Sequence, residues 1–143
     1  IVSPFDAYLL HRGLETLELR VSRANQNALA VAKMLNSHPL VQSTRYPGLP
    51  HDASHAVASR QMREYGPIVS FTLQDRQFAE KFINNNELAV PATSFGGAHT
   101  SAECRIRWGD KVTDGFIRLA CGIEPTEDLV NATENALRDL GSE

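Results

Sequence analysis

Cysteine is scarce in this chain: Cys104 and Cys121 are the only two in 143 residues. Two thiols cannot build a disulfide scaffold, and their spacing is neither a redox pair nor a zinc motif, so a reducing, cytoplasmic setting without a metal is expected. A surplus of basic residues is missing too. Fourteen Lys and Arg against seventeen Asp and Glu leave a formal charge of −3. The cations are scattered among acids, which argues against the positive face that nucleic acid requires. No apolar run approaches the roughly 18 residues of a membrane span, and residues 1–6 lack a basic stretch followed by an apolar one. No repeat occurs at any period. What is present, 42% hydrophobic and 22% charged residues, is the composition of a folded globular protein. The length suits a single domain, residues 1–143, and is too short for separate cofactor and substrate lobes. The opening Ile1-Val2 in place of Met points to a piece of a longer polypeptide.

The pattern along the chain predicts an α+β domain. Ser3-Pro4-Phe5-Asp6 is a helix start, with a capping hydroxyl, a proline where no N–H is needed and an acid in the first turn. Leu14, Leu17, Val21, Ala24, Ala28, Val31 and Leu35 then recur at intervals of three and four, one apolar stripe on a long helix, with Gly13 as a candidate break. Leu40 to Tyr46 is expected to be a strand, closed by the turn Pro47-Gly48-Leu49-Pro50. His51 to Tyr65 is expected to be helical, with Ala56, Val57, Met62 and Tyr65 facing inward. Ile68 to Leu73, Leu88 to Val90 and Phe116 to Cys121 are further strand candidates. Phe78 begins a short helix that ends at Asn84-Asn85-Asn86. Pro125-Thr126-Glu127-Asp128 opens a last one, with Leu129, Thr133, Ala136, Leu137 and Leu140 on one face. Helices are expected to cover one face of a small, mostly antiparallel sheet.

Thr93 to Trp108 follows neither period. Ser94-Phe95-Gly96-Gly97 and His99-Thr100-Ser101 combine glycines, hydroxyls and an imidazole, the content of a functional loop. Arg118 lies inside the apolar strand, on the face shared by Phe116 and Ala120, and a guanidinium there calls for an anionic partner. That partner is a ligand, an internal acid such as Glu124 or Asp114, or water. Other constellations are weaker. His51 and His55 stand four apart with no third metal ligand, which favours an exposed helix surface. Ser94, His99 and Asp110 lack a nucleophile-elbow motif, and Cys121 reads as a small hydrophobe.

Taken in order, Ser3-Pro4-Phe5-Asp6-Ala7-Tyr8-Leu9-Leu10-His11-Arg12-Gly13-Leu14-Glu15-Thr16-Leu17 resembles the segment that opens the C-terminal domain of the pyridoxal-phosphate (PLP) enzymes of Cys/Met metabolism. That family includes cystathionine γ-synthase, cystathionine γ-lyase, cystathionine β-lyase and methionine γ-lyase. The resemblance continues through Asn27-Ala28, His38-Pro39, Tyr46-Pro47-Gly48-Leu49-Pro50, Ser70-Phe71, Ser94-Phe95-Gly96-Gly97, Ile117-Arg118-Leu119, Gly122-Ile123-Glu124 and Glu127-Asp128-Leu129, nearly the whole chain. It implies the small C-terminal domain of a fold-type I enzyme. Arg118 then binds the substrate α-carboxylate, and Ser94 lies at the active-site wall. His99 stands where γ-enzymes of the family often carry Glu, and the segment after it is shorter than usual. The combination of Ser-Phe-Gly-Gly with His-Thr leans towards the γ-lyase and γ-synthase branch.

The resemblance also implies what lies elsewhere. In the family a lysine, a phosphate cup and a stacking tyrosine of the larger preceding domain hold PLP, and Lys33, Lys81 and Lys111 are not in that context. PLP is therefore expected in the complete enzyme and not bound to this chain, which is expected to be inactive alone. The substrate is expected to be a small sulfur amino acid, and the complete enzyme a cytoplasmic homotetramer without nucleic-acid or membrane partners. The competing reading is a non-catalytic amino-acid-binding or oligomerisation module.

Overall fold

The computed structural model describes residues 1–141. Five α-helices, α1 (Pro4–Glu15), α2 (Leu17–Ser37), α3 (His55–Gln61), α4 (Arg76–Asn85) and α5 (Thr126–Arg138), accompany a five-stranded sheet among the described residues. The strands are β1 (Ser43–Arg45), β2 (Ile68–Thr72), β3 (Val90–Pro91), β4 (Ser101–Cys104) and β5 (Phe116–Ala120), in the order β1-β2-β5-β4-β3. All neighbours are antiparallel except β3 and β4. The fold is α+β, as the pattern implied.

One face of the sheet forms the core. Val69 and Phe71 of β2, Ala102 and Cys104 of β4, and Ile117 and Leu119 of β5 pack with Ala28, Val31 and Leu35 of α2, Phe82 of α4, and Leu129 and Leu137 of α5. Strand alternation then sends Ser70, Arg118 and Glu103 to the opposite face.

The N-terminal half of the apolar stripe departs from expectation. Ser3 caps α1 by accepting the Asp6 N–H at 3.2 Å, as its sequence predicts. The break falls at Thr16, not at Gly13. Arg20 reaches back across it, donating to the Gly13 carbonyl at 2.6 Å and to Thr16 Oγ1 at 3.3 Å. Ala24, Ala28, Val31 and Leu35 are buried, whereas Leu14, Leu17 and Val21 are exposed, and α1 has no buried residue. Periodicity marks a face that wants cover and is silent on whether this chain supplies it.

Other boundaries contract. The expected strand from Leu40 shrinks to three residues, and the helix expected from His51 begins at His55. In that helix Ala58 is the buried residue, while Ala56, Val57 and Met62 are exposed. Leu88-Ala89 lies before β3 rather than within it. The helix expected from Phe78 starts at Arg76, capped by Asp75, whose carboxylate accepts the Phe78 N–H at 2.9 Å. The unexpected strand is β4, inside the stretch read as irregular.

The Tyr46-Pro47-Gly48-Leu49-Pro50 turn is held by side chains. A Cβ at Gly48 would lie 2.5 Å from the Tyr46 ring and 2.9 Å from that of Tyr65, so only glycine fits. Buried Asp52 accepts from Tyr46 N at 3.0 Å, Ser54 N at 2.9 Å and Ser54 Oγ at 2.5 Å, with Arg45 Nε at 3.4 Å. Burial works against its ionisation. The Ser54 and Tyr46 hydrogen bonds and the Arg45 charge outweigh it and pull the pKa below the ordinary 3.8. A depressed carboxylate stabilises the fold fully above its unfolded pKa and loses that contribution as pH falls through the folded value. The stability gap between wild type and Asp52→Asn is therefore expected to be constant near neutrality and to close as pH drops below 3.8. Urea midpoints measured across pH check this, and a gap that persists at the acid end would remove Asp52 from the acid response.

Candidate functional site

Arg118 sits at the middle of β5, paired across β2 with Ser70 and across β4 with Glu103. These three form a row on the sheet face turned away from the core helices. Arg118 is half-buried and makes no ion pair among the described residues. One Nη donates to the Thr93 carbonyl, and the guanidinium carbon lies 5.1 Å from the centroid of the Phe95 ring. Its Nε is buried and has no partner. Glu124, one of the internal acids considered for Arg118, is engaged elsewhere: its two oxygens accept from Thr100 N at 2.6 Å and Thr100 Oγ1 at 2.9 Å. Asp114 is exposed and does not reach Arg118.

The loop over this row carries the other candidates. Ser94 and His99 are exposed and line one cleft of about 210 Å³ together with Phe95, Gly97 and Thr100. Ser94 also lines a second cleft of about 450 Å³, with Thr93, Glu103, Arg107 and Trp108. The structure thus brings Ser94 and His99 to one wall. Arg118 meets the same loop from beneath, through Thr93 and Phe95.

The loop is fastened from behind. Gly122 N donates to Thr100 Oγ1 at 2.9 Å, and Ile123 N to the Ala98 carbonyl at 2.9 Å. A Cβ on Gly122 would lie 2.3 Å from the Ala98 oxygen and 2.6 Å from Thr100 N, so the two backbones approach this closely only because residue 122 is glycine. Fully buried Asn27 of α2 donates to the carbonyls of Gly122 at 3.0 Å and Glu124 at 2.9 Å and accepts from Thr126 Oγ1 at 2.6 Å.

Sequence reasoning missed Glu103, which is only 6% exposed and accepts the Trp108 indole N–H at 2.5 Å. The signal was the alternation Ser101-Ala102-Glu103-Cys104, hidden by the hydroxyls and glycines around it.

The weaker constellations dissolve. Asp110 pairs with Arg105 at 2.6 Å, so it does not complete a triad with His99. His55 is half-buried rather than on an exposed surface; its Nδ1 bonds the Pro47 carbonyl at 2.7 Å and its ring lies beside Tyr65. Both cysteines are buried and free. Burial, helped by Glu124, pushes the Cys121 thiol up to about 12, which leaves it inert at neutral pH. None of the three lysines lines either cleft of the loop, and neither does Arg118.

Comparison with known proteins bears on the family and the fold. The family model described as Cys/Met metabolism PLP-dependent enzyme matches residues 1–138. A Streptomyces coelicolor protein that carries the provisional name cystathionine gamma-lyase is 51% identical over 131 residues, which is 91% of this chain and 33% of that protein. Cystathionine gamma-synthase of Mycobacterium tuberculosis is 40% identical over 96% of this chain and 38% of its own length. Among solved structures, MetB of Corynebacterium glutamicum superposes with a TM-score of 0.91 at 36% identity, over 98% of this chain and 39% of that one. The chain thus spans a third to two fifths of the relatives it matches. Among the described residues no helix is long and apolar enough to cross a membrane.

Proposed function

This chain belongs to the Cys/Met metabolism family of PLP-dependent enzymes, and we propose that within it the 143 residues are the C-terminal, substrate-binding domain of a transsulfuration enzyme of the cystathionine γ-lyase or γ-synthase type. The observation that carries this reading is a single guanidinium, Arg118, on the open sheet face beneath the loop of Ser94 and His99. A planar guanidinium offers a carboxylate two parallel charge-assisted hydrogen bonds, which fixes an amino acid's position and its rotation. Ser94 and His99 then form the wall along which the side chain of the substrate lies. The family's cofactor belongs with the part of the polypeptide beyond this domain, so this chain's contribution is to bind and orient a small sulfur amino acid. Such a protein works in the cytoplasm as a homo-oligomer, in line with the scarce cysteines and the family.

A second reading, assembly, is favoured by α1 and the start of α2. Phe5, Tyr8, Leu9, Leu10, Leu14, Leu17 and Leu19 are all exposed, a larger apolar surface than a monomer of this size normally leaves to water. Both roles fit one domain, since the apolar face of α1 and the sheet face of Arg118 are separate surfaces.

The test compares wild type with His99→Glu in the full-length protein with PLP supplied. Wild type is expected to turn over cystathionine or another sulfur amino acid. The substitution is expected to change the ratio of β- to γ-substituted substrates consumed, because a carboxylate replaces an imidazole at the wall. No turnover of any sulfur amino acid by wild type would sink the reading, and an unchanged ratio would leave His99 a bystander.

A further inference from the structure

The buried Nε of Arg118 poses a problem that a substrate cannot solve. An unpaired buried donor costs free energy, and a nitrogen closed off from solvent cannot be reached by an incoming carboxylate. Its partner must come from the protein. The carboxyl group directly across the register is Glu103 of β4, with Cβ atoms of such pairs about 5 Å apart. Glu103 is itself enclosed, and its described hydrogen bond is to the Trp108 indole. In this structure the two cross-strand neighbours turn apart, Arg118 to the Thr93 carbonyl and Phe95, Glu103 to Trp108.

Building on the reading of Arg118 as a carboxylate clamp, we propose that Glu103 is its positioning residue. When substrate binds, Glu103 accepts the Nε–H of Arg118 with one oxygen and keeps the Trp108 N–H with the other. The guanidinium plane is then fixed from behind, and both Nη groups face the substrate carboxylate. A carboxylate accepts two such donors without strain, and one oxygen of Glu103 suffices for Trp108. Glu103 touches neither substrate nor cofactor, so it acts on affinity for the α-carboxylate and not on the chemical step.

The experiment uses the full-length, PLP-loaded protein and two competitive inhibitors, a saturated α-amino acid and the amine that lacks its carboxyl group. Glu103→Gln is expected to raise KM and the amino acid's Ki about tenfold, the size of one lost charge-assisted hydrogen bond. It should leave kcat within about twofold and the amine's Ki unchanged. Trp108→Phe, at a 63% exposed residue, is expected to shift the same constants in the same direction by less, and it carries the test if Glu103→Gln does not fold. Unchanged Ki values, or equal weakening of acid and amine, would overturn the proposal, the second because a merely structural role weakens both. Arg118→Ala measured alongside separates the premises. If it weakens the amino acid while Glu103→Gln does not, only the positioning role falls; if it leaves the amino acid's Ki intact, the clamp falls with it.

Discussion

Arg118→Ala in the full-length protein is expected to lower kcat/KM by roughly two to four orders of magnitude. That corresponds to about 3–5 kcal/mol, the usual cost of deleting one member of a desolvated charge pair. The guanidinium lies against the Thr93 carbonyl and the Phe95 ring, on a strand with hydrogen-bonded neighbours on both sides. Arg118→Lys is expected to recover part of the loss, because an ammonium restores the charge without the paired donors. Steady-state kinetics, with PLP content and thermal midpoint measured on the same samples, check this. Near-normal kcat/KM for Arg118→Ala, or a loss accounted for by unfolding, would make Arg118 a structural residue and remove the clamp.

Why Arg118 was legible in the sequence and Glu103 was not is a matter of contrast. Phe116-Ile117-Arg118-Leu119-Ala120-Cys121 is apolar except at one position, so alternation both announces the strand and isolates its misfit. Ser101-Ala102-Glu103-Cys104 alternates as well, but one turn earlier lie His99 and Thr100 and one turn later Arg105 and Arg107, and against that polar background a four-residue strand has no edge. The α2 stripe was readable for the same reason as β5. Its failure over Leu14, Leu17 and Val21 has a different cause: amphipathicity belongs to the helix, and burial depends on a partner surface. The resemblance named Ser94 and His99 as candidates, yet the fastening of their loop by Thr100, Gly122 and Glu124 joins residues 22 to 24 apart. No local pattern encodes that.

The same reasoning leads to Asn27, a fully buried amide in the middle of an apolar helix face. Both of its N–H groups and its carbonyl are used: two bonds satisfy the buried carbonyl groups of Gly122 and Glu124, and one receives the Thr126 hydroxyl. The loop they hold connects β5 to α5, and through Gly122 and Thr100 it also fixes the segment carrying His99. Asn27→Ala leaves the two carbonyls without their donor, at Gly122 in a buried setting and at Glu124 in a partly buried one, a cost of roughly 2–6 kcal/mol at about 1–3 for each group. Asn27→Asp keeps the shape and the Thr126 acceptor but turns a carboxylate oxygen towards those carbonyls, so it is expected to destabilise at least as much as alanine. Urea denaturation of the full-length variants at pH 7 checks both, with a fall in midpoint at constant m expected. If Asn27→Ala costs less than about 0.5 kcal/mol, a typical surface value, the loop finds its donors elsewhere. An aspartate variant milder than alanine would show that acceptance from Thr126, and not donation to the two carbonyls, is what holds α2 to the site.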